Sequence, residues 1–456
     1  MNNDFSDTLY AGTSRIDITP PGNCKLGGFA GRNHECEGIH DHLYVTALAL
    51  SRHGKKLIII GIDILALNNE QMEMIWALAD RKLNLRPDQL FINCSHTHAG
   101  PEIHPTFNCN TCPPGEVCDP DPEYIKELLE SIILSADKAL KNLQPADAFG
   151  EIGETFIGIN RRAPDKQIYK EQATGYENFP NPDREVDRSC PVILFKNKKG
   201  KPLSLIFGAA CHPTTMRYDN YLISAEYPGV ARRILEKDLD GAPALFLQGM
   251  AGDVKPHQVA EGNSFRSGNF EDIEKVGEEL ATDVNTIIKK GLRPLDIKIE
   301  TALKRVAIPF NNTWNIKTYE KFAEKDEVEY RRVWANYWLQ KLRAGESLPE
   351  SIDLTLSIVE LSPELRFATV AGELLTDMGM KIKHQFKNGT TLVLGYTNGE
   401  IAYILDAKTI KEGGYEATEV VFFSHDKPAP FIPEIEEIIL SGFKELEENI
   451  VNNYEK

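Results

Sequence analysis

The chain has 456 residues, of which 41% are hydrophobic and 26% are charged, a balance typical of globular proteins rather than disordered or fibrous ones. Its formal net charge is −17, with the acidic residues dispersed along the chain. This charge argues against nucleic acid or an anionic membrane surface as the main partner, because both require clustered lysine and arginine.

The first half of the chain alternates between short apolar runs and amphipathic stretches. The apolar runs are typical of buried strands, and the stretches with apolar residues at helical spacing are typical of helices. Predicted strands are Leu57–Ile64, Gln89–Cys94, Pro191–Phe195 and Leu203–Ala210, and predicted helices are Glu70–Lys82 and Asp121–Lys141.

The second half continues the same alternation. Predicted helices are Pro228–Lys237, Asp272–Lys290, a long polar helix over about Ile316–Arg343, Leu374–Gln385 and an acidic helix over about 433–456; predicted strands are Ala244–Gln248, Ile297–Ile308, Leu354–Leu361, Arg366–Val370 and Thr391–Gly395. This order predicts an α/β fold with mixed β-sheets flanked by α-helices.

No signal peptide or transmembrane segment is visible. The N-terminus lacks a basic start and an apolar run, and the most apolar run, Leu57–Leu67, is only as long as a strand and is interrupted by Asp63. We therefore expect a cytoplasmic protein that acts on a small molecule. The sequence leaves the oligomeric state open.

A polar motif follows the predicted strand Gln89–Cys94, at a place where ligands of α/β proteins gather. It reads Ser95-His96-Thr97-His98. An H-x-H sequence places two imidazoles on one side of an extended segment, which suits one metal ligand and one neighbouring acid or base. The alternative is two surface histidines.

Three further motifs are ambiguous when each is taken alone. His212 follows a buried strand and either faces a cleft or is a core histidine bonded to a carbonyl. Glu373, in a Gly-Glu pair, is either an acid at a helix start or a ligand. Tyr403 and Tyr415, near glycine-rich turns, either pack as ordinary aromatics or present phenol oxygens to a site.

Together these motifs resemble the catalytic domain of the neutral/alkaline (non-lysosomal) ceramidase family, zinc amidases that split ceramide into sphingosine and fatty acid. The resemblance runs from Tyr10-Ala11-Gly12 to about Tyr415-Glu416 and covers most of the chain. Supporting matches are Gly38-Ile39-His40, Ile159-Asn160-Arg161, Leu222-Ile223-Ser224 and Ala251-Gly252-Asp253-Val254.

The resemblance implies one ceramidase-like zinc hydrolase domain over residues 1–456. The family's zinc ligands would fall on His96, His212, Glu373 and Tyr403. The implied reaction is attack of a zinc-activated water on an amide or ester carbonyl.

Other residues would assist this reaction. His98 is predicted to transfer a proton to the leaving group, and Arg161 and Tyr415 to stabilise the oxyanion or orient the substrate. Asp63 either supports a histidine ligand or is an aspartate in a turn at a strand end.

The sequence also departs from the family. In Gly252-Asp253-Val254-Lys255-Pro256-His257, Lys255 stands where the family commonly has serine. Asp253 and Lys255 are therefore predicted to bind substrate, and a polar N-acyl compound is expected, with ceramide as the alternative. The family's C-terminal β-sandwich is not visible in the sequence.

Of the eight cysteines, five besides Cys94 lie towards the front of the chain: Cys24, Cys36, Cys109, Cys112 and Cys118. Cys109 and Cys112 form a C-x-x-C pair in a cysteine-rich insertion at about 108–118, where thiols bind a metal, cycle as a dithiol or remain free. The rival class is an oxidoreductase or a structural metal protein in which these cysteines bind an iron–sulfur cluster or a second zinc. A non-catalytic binding protein is the third alternative.

Overall fold

Strands and helices alternate through the computed structural model, which describes residues 7–163 and 178–454. The predicted mixed α/β fold is confirmed. Strands and helices are numbered below in chain order.

The larger sheet has nine strands and is antiparallel at its centre and parallel at both ends. Its order is β13-β11-β10-β8-β1-β3-β4-β5, and β17 pairs with β8. The strands are β1 (Tyr10–Asp17), β3 (Tyr44–Arg52), β4 (Lys55–Ile62), β5 (Leu90–Cys94), β8 (Gln144–Glu154), β10 (Ser189–Asn197), β11 (Pro202–Ala209), β13 (Ala244–Gln248) and β17 (Arg293–Leu295).

The smaller sheet has the order β18-β19-β20-β22 and is antiparallel except for the last pair. Its strands are β18 (Glu300–Pro309), β19 (Ser351–Ser362), β20 (Leu365–Val370) and β22 (Thr390–Leu394). Side chains alternate between its two faces. Phe367 therefore packs towards the larger sheet, with its ring centroid 5.8 Å from that of Phe91, while Ala368 faces the opposite side.

Helices cover the outer faces of both sheets. They are α1 (Asn69–Leu83), α2 (Pro122–Lys141), α3 (Glu226–Asp238), α4 (Phe270–Lys290), α5 (Ile316–Lys325), α6 (Glu329–Arg343), α7 (Thr376–Gln385), α8 (Ala407–Glu412) and α9 (Ile435–Tyr454). Helices α1 to α4 pack on the larger sheet and α7 and α9 on the smaller one, giving four layers in the order helix, sheet, sheet, helix.

Short two-stranded ribbons lie at the ends of the sheets. They are β2 (Gly38–Ile39) with β12 (Leu222–Ile223), β6 (Thr106–Phe107) with β7 (Val117–Cys118), β9 (Gly158–Asn160) with β14 (Val254–Pro256), β15 (Ala260–Glu261) with β16 (Ser264–Phe265), and β21 (Glu373–Leu374) with β23 (Tyr403–Ile404).

Two predicted helices were wrong in part. The long helix Ile316–Arg343 is two helices, α5 and α6, because the Asp326 carboxylate accepts the Val328 N–H at 2.8 Å and forms a local turn that interrupts the helix. The helix predicted from Leu374 begins at Thr376, and Glu373 lies in strand β21. Within the described residues, no helix is both long and apolar enough to cross a bilayer.

Candidate active site

Asn93 joins three strand ends from the two sheets. Its side-chain amide donates to the carbonyls of Gln248 at 3.2 Å and Gly395 at 3.0 Å, and its carbonyl accepts the Gln248 N–H at 2.7 Å. The carboxyl ends of β5, β13 and β22 therefore meet, and the segments that follow β5 and β22 reach a common site. Ligand sites of α/β sheets lie at such edges.

His96 and His212 face each other across this site with the same tautomer. The Nδ1 of His96 lies 2.9 Å from the Leu65 carbonyl, and the Nδ1 of His212 lies 2.6 Å from the Ala251 carbonyl. A carbonyl only accepts, so in the neutral rings the proton sits on Nδ1. The Nε2 lone pairs of both rings therefore point into the site, as in metal-ligating histidines.

Glu373 completes a cluster of acceptor atoms. Its Oε2 lies 3.3 Å from the His96 Nε2 and 3.1 Å from the His212 Nε2. The Glu373 Oε2 and the His212 Nε2 are buried, and neither has a hydrogen-bond partner of acceptable geometry. Lone pairs that face one another at this range require a cation between them, and two imidazoles with a carboxylate are ligands that suit Zn²⁺.

The electrostatics of the cluster also call for positive charge. Burial lowers the pKa of His96, but Glu373 and Glu400 outweigh this effect and raise the pKa to about 10. Burial lowers the pKa of His212 to about 4. The two imidazoles hold the pKa of Glu373 well below its usual range, against the effect of burial. The site thus holds a carboxylate and attracts a proton or a metal ion.

The predicted catalytic histidine adjoins the cluster. The Nε2 of His98 lies 3.1 Å from the His96 Nε2, and its buried Nδ1 has no hydrogen-bond partner in the described part of the chain. Burial, followed by His96 and His212, lowers the pKa of His98 well below its usual range. The ring is therefore neutral at pH 7 and keeps one unprotonated nitrogen.

Tyr403 lies beside Glu373 because β21 and β23 pair these two residues. The Arg161 guanidinium donates to the Tyr403 hydroxyl at 3.2 Å and to the Glu416 carboxylate at 2.9 Å. The Tyr415 ring lies 5.9 Å from the Tyr403 ring, and Arg161 lies over both rings. Burial and Glu373 raise the pKa of Tyr403 well above its usual range despite Arg161, so forming a phenolate here requires a further cation.

The other predicted site residues have different surroundings. Both Asp253 oxygens accept hydrogen bonds from the protein, from Thr376 at 2.7 Å and from Asn160 at 2.8 Å, so the carboxylate positions the segment of Arg161. The Lys255 side chain is 6% exposed and lies over the Phe265 ring. Substrate contact by Asp253 and Lys255 stays a prediction.

Asp63 does not support a histidine. Its carboxylate forms an ion pair with Arg232 at 2.7 Å and accepts the Tyr44 N–H at 2.8 Å. Because a buried carboxylate needs a charged partner, Arg232 accounts for this aspartate. The predicted contact with a histidine ligand is absent from the described hydrogen bonds and ion pairs.

Two residues at the site were missed by the sequence analysis. The Glu400 Oε2 lies 3.4 Å from the Nδ1 of His96, and the Tyr396 ring centroid lies 4.3 Å from that of His96. Both belong to the glycine-rich segment that ends in Tyr403, and a glutamate between two such tyrosines was the available signal.

The segment before Arg32 forms a wall beside His98. A Cβ on Gly28 would lie 2.3 Å from the His98 Nδ1, and the Phe29 ring lies 4.7 Å from the His98 ring. Behind this wall is a cavity of about 230 Å³ whose lining includes Phe29, Leu65, Glu102, His104 and Cys109.

The five front cysteines do not form one cluster. Cys24 and Cys36 are a pair with Sγ atoms 3.8 Å apart, whereas Cys109, Cys112 and Cys118 lie around Thr106 and Thr111. Within the described ranges, the groups of three or more ligand atoms lying within 4.8 Å of one another are His96 with His98 and His212, and His96 with Glu373 and Glu400. The rival hypothesis of a metal centre built on the cysteines therefore has no ligand group in the described structure.

The comparisons with known proteins agree with the resemblance. The family model described as neutral/alkaline non-lysosomal ceramidase, N-terminal, matches residues 9–276. Neutral ceramidase A of Dictyostelium discoideum is 25% identical over 297 residues, which are 58% of this chain and 38% of that protein. Neutral ceramidase of Pseudomonas aeruginosa is 21% identical over 278 residues, which are 58% of this chain and 40% of that protein.

The matches to these relatives thus span less than half of their length. In structure, the chain resembles the crystal structure of the Pseudomonas aeruginosa neutral ceramidase with a TM-score of 0.70 and 16% sequence identity. That alignment covers 96% of this chain and 74% of the other, and it shows a shared fold.

Proposed function

Because this chain belongs to the neutral/alkaline non-lysosomal ceramidase family, we propose that it hydrolyses an N-acyl amide at a zinc site formed by His96, His212, Glu373 and Tyr403. The observation that carries the proposal is a set of buried acceptor atoms, in which the Nε2 atoms of His96 and His212 each lie within 3.3 Å of the same Glu373 carboxylate oxygen. Nothing but a cation satisfies all three at once.

Residues of the chain have separate roles in the proposed hydrolysis. A zinc ion, when bound, lowers the pKa of a water molecule and polarises a carbonyl oxygen. His98, neutral and 3.1 Å from His96, takes a proton from the attacking water and returns it to the leaving amine. Arg161 is fixed by Glu416 and holds the Tyr403 hydroxyl, so its charge stabilises the oxygen that becomes negative during attack.

Ceramide is the first candidate substrate. The matched relatives are named neutral ceramidases, so they favour ceramide over the polar N-acyl compound expected from the sequence. One observation keeps the polar compound as second candidate. Lys255 is a buried cation for which the described residues offer no carboxylate within 4 Å, although Arg161 and Arg217 are near it. An anionic group on the substrate would neutralise this charge.

A substrate panel tests the proposal. We expect the purified chain to bind about one zinc per molecule and to release fatty acid from a short-chain ceramide, with N-acyl amino acids and N-acyl sugars as competitors. His96→Ala and His212→Ala should lose both metal and hydrolysis, while His384→Ala, which removes an exposed histidine, should keep both. Amide hydrolysis by a metal-free His96→Ala/His212→Ala double variant would contradict the mechanism.

Lys255→Met separates the two substrate classes. If the substrate is anionic, this variant should raise KM for N-acyl amino acids and leave KM for ceramide unchanged. Equal KM changes for both substrates would eliminate the polar candidate.

A further inference from the structure

The β6/β7 ribbon carries a thiol pair close to the cavity beside His98. Thr106 pairs with Cys118 across the ribbon, and the loop between the strands contains Cys109 and Cys112. The Cys112 N–H donates to the Cys109 carbonyl at 3.1 Å, which makes residues 109–112 a tight turn. Such a turn keeps its end Cα atoms within about 7 Å, and disulfides form when Cα atoms are about 4.4–6.8 Å apart.

The two thiols have unequal surroundings. The Cys109 Sγ is half-buried and lies 3.0 Å from the Thr111 hydroxyl. Burial raises the pKa of Cys109, but hydrogen bonds from Thr111, Cys112 and Thr106 outweigh it and lower the pKa. Burial and a hydrogen bond with Cys118 raise the pKa of Cys112 to about 12. One thiol therefore forms the thiolate first and the other stays protonated, the asymmetry of reactive C-x-x-C pairs.

We propose that Cys109 and Cys112 are a reversible dithiol–disulfide site next to the cavity that Gly28, Phe29 and Cys109 line. The oxidant is a small-molecule disulfide of the glutathione type. The Cys109 thiolate attacks one sulfur of the oxidant and forms a mixed disulfide, releasing one thiol. The Cys112 sulfur, as it loses its proton, displaces the second thiol and forms the Cys109–Cys112 bond. Two electrons and two protons pass from the protein to the oxidant, which leaves as two thiols.

The loop is joined to the wall that covers His98. The Asn110 N–H donates to the Ala30 carbonyl at 3.1 Å, and the Asn110 side-chain amide donates to the Gly31 carbonyl at 3.1 Å. The Lys25 ammonium donates to the Thr111 carbonyl at 3.2 Å. The Gly28 and Phe29 contacts with His98 lie in the same segment. Closing the disulfide removes the hydrogen bond between Cys109 and Thr111, so oxidation alters the wall of the cavity.

The other cysteines near the loop are less suited to disulfide exchange than Cys109 and Cys112. Cys24 and Cys36 also lie close together, but Cys36 is only 5% exposed and burial raises the pKa of Cys24. Cys118 contacts Cys112, but no turn in the described part of the chain joins it to Cys109. A thiolate zinc site is disfavoured because three of these thiols do not form a ligand group in the described structure.

Redox titration with glutathione tests the site without reference to hydrolysis. The full chain is equilibrated in mixtures of reduced and oxidised glutathione, alkylated and mapped by mass spectrometry. We expect Cys109 and Cys112 to become protected together as a disulfide that reduced glutathione reopens. Cys112→Ser should trap glutathione on Cys109, Cys109→Ser should show no adduct in the loop, and Cys118→Ser should behave as the wild-type chain.

Three outcomes would overturn the proposal. They are a Cys112–Cys118 disulfide in the wild-type chain, absence of an adduct on Cys109 in Cys112→Ser, and thiols that stay protected by zinc under oxidation. The readout is covalent mass, so failure here is distinct from failure of the zinc hydrolase proposal. Metal content should remain about one zinc per chain in both redox states.

Discussion

His96 adopts a left-handed backbone conformation, with φ of 66°, and Tyr396 and Asn398 do the same at 52° and 55°. Such conformations cost about 1–3 kcal/mol each outside glycine and persist where neighbours fix them. Here the Ile64 carbonyl accepts the His96 N–H at 3.0 Å, and Asn398 bonds to both backbone groups of Ile92. The strain is concentrated where the imidazole and Tyr396 ring must meet, which supports a functional reason for it.

Glu400→Gln tests whether this buried carboxylate supports the metal site through His96. The variant removes a negative charge 3.4 Å from the His96 Nδ1 and keeps the size of the side chain. We expect metal affinity to fall by roughly 10–100-fold, the usual cost of losing such a partner. Competition with a chromophoric chelator measures this affinity. Glu360→Gln, which alters a buried glutamate in β19, is the matched control, and equal affinities for the two variants would disprove the role of Glu400.

Lys255→Met tests the cost of a buried cation. Burial, followed by Arg161 and Arg217, lowers the pKa of Lys255 from 10.5 to about 7. The folded chain therefore loses this proton first, and its stability rises between about pH 7 and 10.5 by at most about 1.4 kcal/mol per pH unit. Below pH 7 the amine is protonated in both the folded and the unfolded chain, so the full cost of burying the charge lowers the free energy of unfolding. The variant should exceed the wild type in stability at pH 6 by on the order of 5 kcal/mol.

Urea unfolding at pH 6 and pH 9.5 measures this difference. The advantage of Lys255→Met should shrink at pH 9.5, because the wild-type amine is then mostly neutral in the folded state. Lys199→Met, at an exposed lysine, should differ little from the wild type at either pH. An advantage that is the same at both pH values would contradict the lowered pKa.

At the scale of elements, the segment from Gly22 to Arg32 determines where His98 sits. Gly28 has a φ of +87°, and a Cβ there would lie 2.3 Å from the His98 Nδ1. Gly28→Ala should displace the imidazole and lower kcat/KM roughly 100-fold, the effect of misplacing a catalytic group by about 1 Å. Zinc content should stay unchanged, because the three atoms nearest to the added Cβ all belong to His98, which is not one of the proposed ligands.

Gly22→Ala is the control for this variant. It lies in the same segment and no atom would lie within 4 Å of its added Cβ. Wild-type activity in both alanine variants would show that the position of His98 does not matter for the reaction.

The longer elements could be predicted from the sequence, whereas the short ones could not. Strand β4 was predictable from its apolar run, and helix α1 from apolar residues at helical spacing. The two-residue strand β21 leaves no periodic signal, so no strand was predicted at Glu373, and an acid at a helix start stayed one of two interpretations from the motif alone. The break between α5 and α6 depends on one hydrogen bond of Asp326. The proposed ligands came from the resemblance to the family. Glu400 was missed because it lies 304 positions from His96 in the sequence and meets it only in the folded chain.

In the whole molecule, the site joins the two sheets. His96 follows β5 and His212 follows β11 in the larger sheet, whereas Glu373 and Tyr403 belong to the β21/β23 ribbon beyond the smaller sheet. The Phe91–Phe367 contact holds the same two sheets together through their apolar faces. A cation bound to these ligands is therefore a cross-link between layers and should contribute to global stability as well as to chemistry.

Removing the metal should lower the melting temperature of the whole chain. An ion that binds only the folded state stabilises it by about 2.7 kcal/mol at a free concentration 100 times its Kd. We expect the chelator-treated chain to melt several degrees lower and to recover as zinc is added, in differential scanning calorimetry. His212→Ala should lose this zinc-dependent shift, and His384→Ala should keep it. If His212→Ala kept the full shift, the stabilising ion would lie away from the interface between the sheets.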